Sequence, residues 1–145
     1  MNQYAKELIE LVQEFPPLDW VLTEEDGGPE VALKAYEEGR PIPIFMGDSD
    51  NTIWGKPEIN WLFRAHHDSI HLKYNIPFTL MGEFLVGEIH SKFAEELGLY
   101  ELARVMRIDV AGFAAYLEQK GEHAPQLLTE NTLDKIKEIM KLARP

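Results

Sequence analysis

At 145 residues, 45% hydrophobic and 27% charged, the chain has the size and composition of one soluble globular domain. It contains no cysteine, which excludes disulfide stapling, thiolate metal sites and a cysteine nucleophile. A net charge of -11 repels a phosphate backbone and argues against general nucleic-acid binding.

No apolar run approaches the ~18 residues needed to cross a bilayer. The opening MNQYAKELIE has acids where a signal peptide has its apolar stretch. A cytoplasmic protein without membrane attachment is expected, and a homo-oligomer is compatible with the composition.

Residues 2–15 place Tyr4, Leu8, Leu11, Val12 and Phe15 at helical spacing, and Pro16-Pro17 ends that helix. Gly28-Pro29 and Gly39 bracket a second helix over 29–38. In residues 40–56, Pro41 and Pro43 forbid a helix, while Ile42, Ile44, Phe45, Ile53 and Trp54 are too apolar for a disordered linker. An ordered extended arm with a short strand pair around a GDSDN turn is expected. Asp48, Ser49, Asp50 and Asn51 read as that turn, with calcium binding a remote alternative.

Pro57 opens a helix over 57–74, which Asn75-Ile76-Pro77 closes. Thr79 is the expected N-cap of a helix to Leu97, with Gly98 as its stop. Further helices are expected over 99–120 and 131–142. The fold class that follows is all-α: a single domain, 1–145, of about six helices with one extended arm at 40–56. Short connections at 75–78 and around 98 make the three central helices antiparallel neighbours.

Four of the five histidines fall between positions 66 and 90. His67 and His71, four apart on one helix, point the same way and can offer two imidazoles to one ion. Chance pairs at this spacing are common, so the surroundings must carry the argument. Ile59, Trp61, Leu62, Phe63, Ile70 and Leu72 make this an apolar helix, in which a buried histidine needs a partner. On the next helix Glu83, Gly87 and His90 share a face, and glycines at 82 and 87 permit close approach. Positions 83 and 90 are about 10 Å apart along the axis. The expected arrangement is therefore His67, His71 and His90 as metal ligands, with Glu83 acting on bound water or orienting a ligand.

Asp68 points about 100° away from His67. An ion pair with Arg64 is its plainer reading; the sharper one is a ligand or base, as in the His-Asp doublet of HD phosphohydrolases. That family also needs an earlier histidine, and none precedes His66. His66 is expected to be partly exposed or at an interface, and Glu88 to face solvent. Asp109 is read as paired with Arg104, Arg107 or a histidine in preference to ligation, and His123 carries no signal. Trp54, Trp61, Phe63, Phe84 and Phe93 could line a pocket, with core packing the stronger reading for all but Trp54. A Gly-rich phosphate loop, a GxSxG elbow and an HExxH pair are all absent, and no glutamate stands where an oxidative di-iron bundle needs it.

Residues 60–93, NWLFRAHHDSIHLKYNIPFTLMGEFLVGEIHSKF, are set against a pattern that reads roughly N-x-x-FRA-x-HD, then a histidine, then GE, then EHS followed by an aromatic. It is carried by Asn60, Phe63, Arg64, Ala65, His67, Asp68, His71, Gly82, Glu83, Glu88, His90, Ser91 and Phe93. This stretch resembles a small domain of bacteriophage proteins, including large phage polyvalent proteins. His71 stands one residue earlier than that pattern places its histidine. The resemblance implies a phage or prophage origin, hence the host cytoplasm, and a histidine-rich site. It brings no reaction with it.

The leading expectation is a metal-dependent hydrolase acting on a small phosphorylated or nucleotide-like substrate. One divalent ion (Zn²⁺, Fe²⁺ or Mn²⁺) would activate water, Glu83 or Asp68 would accept its proton, and Arg64, Arg107 and Trp54 would meet the anionic substrate. The competing expectation is a non-catalytic phage accessory protein that binds a host protein or sequesters a small molecule. Its histidines and acids would then form a structural hydrogen-bond network.

Overall fold

The first helix, α1 (Gln3–Glu14), begins where Asn2 supplies a cap: its side-chain oxygen accepts from the Ala5 amide at 2.8 Å. That bond satisfies one of the orphan donors every helix start leaves. Ala5, Leu8 and Leu11 form the buried face. Helix α2 (Gly28–Glu37) starts with proline in its first turn and stops at Gly39, whose φ of +72° suits a residue without Cβ. The structure, a computed structural model, describes residues 1–106 and divides into two compact units, Met1–Asn75 and Ile76–Pro145.

The first unit is not all-α, and here the expectation is corrected. Strands β1 (Trp20–Thr23) and β2 (Ile42–Phe45) pair in parallel, Trp20 opposite Ile42 and Thr23 opposite Phe45. Parallel strands cannot be joined by a tight turn, and α2 is the crossover between them. The arm therefore supplies one strand of a βαβ unit, not a hairpin of its own. Ile42 and Ile44 point inward, each 1% exposed, and Pro43 lies between them. Proline is tolerated there because a two-stranded sheet has only edges.

Helix α3 (Pro57–Lys73) opens on a first-position proline and closes at Asn75, which takes the left-handed conformation at φ +53°. It packs on β2, α1 and α2. In the second unit, α4 (Leu80–Glu96) starts at Thr79, whose hydroxyl accepts from the Gly82 amide at 3.1 Å, and stops before Gly98 at φ +73°. Val86, Ile89, Phe93 and Ala94 are buried along it. The chain is helical again from 100 to 106, and Ser91 Oγ donates to the Ala103 carbonyl at 3.4 Å. The rest of the helix expected over 99–120, the helix expected over 131–142, and Arg107, Asp109 and His123 lie outside the described residues.

Candidate metal centre

Helix α3 is gripped from two directions, and the grip fixes which way its histidines face. Toward the arm, Arg64 Nη1 donates to the carbonyls of Phe45 and Gly47, both at 2.6 Å, and Nη2 reaches that of Asp48 at 3.4 Å. Trp61 Nε1 donates to the Met46 carbonyl at 3.0 Å, and buried Asn60 donates to buried Ser49 at 2.9 Å. Asp48 sits at the bend with φ +53°. The sequence suggests that Arg64 pairs with Asp68 or meets an anionic substrate. Its planar fork instead holds the carbonyls of the turn, a geometry a lysine point charge does not reproduce.

Toward α1, Ser69 Oγ accepts from the Leu18 amide at 2.9 Å and Lys73 Nζ donates to the Pro16 carbonyl at 3.2 Å. His66 lies on this side. Expected to be partly exposed or at an interface, it is 2% exposed and hydrogen-bonded to the Phe15 backbone. Burial is the main reason its pKa falls to about 3; the Phe15 bond opposes the fall, while His67 and Lys73 add to it.

The sign of the resulting pH dependence follows directly. Between pH 6.5 and about 3 the unfolded chain binds a proton at this ring that the folded chain does not, so acid favours unfolding. In the presence of a chelator, stability should be level above pH 6.5 and fall below it, by at most ~1.4 kcal/mol per pH unit from this group. Urea titrations from pH 7 to pH 4 check this, with His66→Leu expected to flatten the limb while lowering stability throughout. A wild-type limb that survives the substitution unchanged would assign the loss to other groups.

The remaining side of α3 carries Phe63, His67 and His71 at four-residue steps, which stacks them along the helix. The rings of Phe63 and His67 are centred 5.8 Å apart, and those of His67 and His71 5.0 Å apart, edge to face. Trp54 extends the row, 5.1 Å from Phe63. Expected at a substrate pocket, Trp54 is 4% exposed and belongs to the packing. His71 is 1% exposed, and His67 is half-buried.

Within the first unit, His67 and His71 stand one helical turn apart on the same side of α3. Two imidazoles so placed can be offered to one divalent ion, and imidazole suits Zn²⁺ or Fe²⁺. Glu83 occupies the first turn of α4, where a helix N-terminus favours negative charge.

In the same unit as the half-buried Glu83, His90 is 1% exposed on α4. Asp68, on α3, is half-buried. Glu88, expected in solvent, has a side chain only 14% exposed and sits 4.0 Å from Lys92. The ring contact between Phe63 and His67 is not among the expectations, although the repeat 63, 67, 71 signals it. Among the described residues no helix is long and apolar enough to cross a membrane. No family model, curated protein or solved structure matches the chain.

Proposed function

We propose that this chain is a metal-dependent hydrolase whose centre is built on His67 and His71. One observation carries the reading: two imidazoles one helical turn apart on the same side of α3, their ring centroids 5.0 Å apart. A site with an open position is the pattern of catalytic metal centres, whereas structural sites are closed by four protein ligands. The ion would supply a Lewis acid that makes bound water a nucleophile near neutral pH. Asp68, one residue beyond a ligand and half-buried, is the proton acceptor.

The substrate class rests on less. Arg64, one of two arginines expected to meet an anionic group, holds the arm through three carbonyls. A small phosphorylated or nucleotide-like substrate is therefore proposed through Arg107 alone. The resemblance of residues 60–93 to the phage domain adds a histidine-rich site to the same reading, and with it a phage origin.

Elemental analysis of untagged protein after exhaustive dialysis should show about one Zn, Fe or Mn per chain. Metal-free protein should recover that stoichiometry on titration with Zn²⁺. A chain that carries none and takes up none would make the buried His71 and His90 parts of a structural network, and the accessory-protein reading would replace this one.

A further inference from the structure

Ring contacts run from Trp54 to Phe63 to His67 to His71, joining two aromatic rings to the two imidazoles of the proposed centre. A metal ligand contributes most when its ring is already held in the binding orientation, because the entropy of ordering it has been lost in folding rather than on binding. Histidine ligands are usually oriented by a hydrogen bond from the second ring nitrogen. Here ring packing acts on His67 from the Phe63 side, 5.8 Å between centroids and tilted by 39°. Phe63 in turn is backed by Trp54 at 5.1 Å.

What holds Trp54 is equally specific. It lies in the arm, and the arm is fastened at both ends. Arg64, Trp61 and Asn60 secure residues 45–49 to α3, and Asn2 Nδ2 donates to the Ile53 carbonyl at 2.8 Å, one residue before the indole. The indole is 4% exposed, so it is held on all sides and does not swing with solvent. A chain of contacts therefore runs from the fastened arm through two rings to a ligand.

We propose that Phe63 and Trp54 are positioning residues for the metal centre: they set the orientation of His67, and the arm exists in this fold to keep them there. The inference rests on the metal reading above. It also explains why an arginine and an asparagine on α3 are committed to arm groups at 45–49 instead of to substrate.

The test uses Co²⁺ as probe on the full chain, because its absorption bands report ligand geometry as well as occupancy. Phe63→Leu keeps an apolar side chain but removes the ring, and it should weaken Co²⁺ binding by about 10-fold and shift the visible bands. Phe63→Tyr keeps the ring face and should restore both affinity and spectrum to near wild type. Trp54→Leu leaves Phe63 in place without its brace and should fall between the two. Circular dichroism checks that each variant is folded; if Phe63→Leu is not, Trp54→Leu and Phe63→Tyr decide between the outcomes. Wild-type affinity and bands in a folded Phe63→Leu or Trp54→Leu protein would overturn the proposal. Wild-type protein that binds no Co²⁺ at all would overturn the metal reading itself, which is a different failure.

Discussion

His71→Ala protein should leave dialysis without metal, and His67→Gln should do the same at a position that is only half-buried. The size of the effect follows from the number of ligands. Four-ligand zinc sites bind with roughly 10–16 kcal/mol at neutral pH, so each ligand accounts for about 3 kcal/mol. That corresponds to a loss on the order of 100-fold in affinity. A second readout comes from linkage. Metal at 100 times its dissociation constant stabilises the folded chain by about 2.7 kcal/mol, which appears as a rise in Tm. Wild type should show that rise with Zn²⁺ and both variants should lose it. The two substitutions also separate the competing readings. His71 is 1% exposed, so removing its ring leaves a cavity and lowers stability whatever its role. His67 is only half-buried, and glutamine there keeps a polar side chain without the imidazole. If His67→Gln keeps a full equivalent of zinc after dialysis, this imidazole is not a ligand and the proposed centre is wrong.

The parts of this molecule legible in its sequence are those governed by local chemistry. Pro57 and the Asn75-Ile76-Pro77 stop bracket α3, expected over 57–74 and found as Pro57–Lys73. Thr79 and Gly98 bracket α4, expected over 79–97 and found as Leu80–Glu96. Each of these residues acts through its own φ, its own hydroxyl or a missing amide, so neighbours suffice to read it. Strand β1 escapes such a reading because its partner lies about 20 residues onward, across a helix, and a four-residue run has no periodicity to betray it. Arg64 misleads for a related reason. Its side chain is satisfied by main-chain carbonyls of the arm, which carry no signature in the sequence. His66 looks exposed because the helical wheel turns it away from His67, and the wheel says nothing of residues 15–18 that cover that side. The pairing of the His67 and His71 rings is legible because i, i+4 spacing is local geometry.

Gly82 marks where a local rule and a tertiary contact pull in opposite directions, and the structure decides between them. Alanine in place of a helical glycine ordinarily stabilises by up to ~1 kcal/mol, less in the first turn. At Gly82, however, an added Cβ would run into the Pro77 carbonyl oxygen, with the Pro77 carbonyl carbon at 2.9 Å and Ile76 Cγ2 at 3.3 Å. The obstacle is main chain, not the end of a flexible side chain, and Ile76 beside it is 2% exposed, so neither yields easily. Overpacking of this kind typically costs about 1–3 kcal/mol and more where backbone must move, which exceeds the helix gain. Gly82→Ala should therefore lower the stability of the metal-free chain by roughly 2–3 kcal/mol, read as a fall in the urea midpoint at unchanged slope. Gly82→Ser should behave as badly, since the penalty begins at Cβ. An alanine variant as stable as wild type would mean that residues 76–77 give way freely, and the close approach that the glycine permits would then be incidental to how α4 begins.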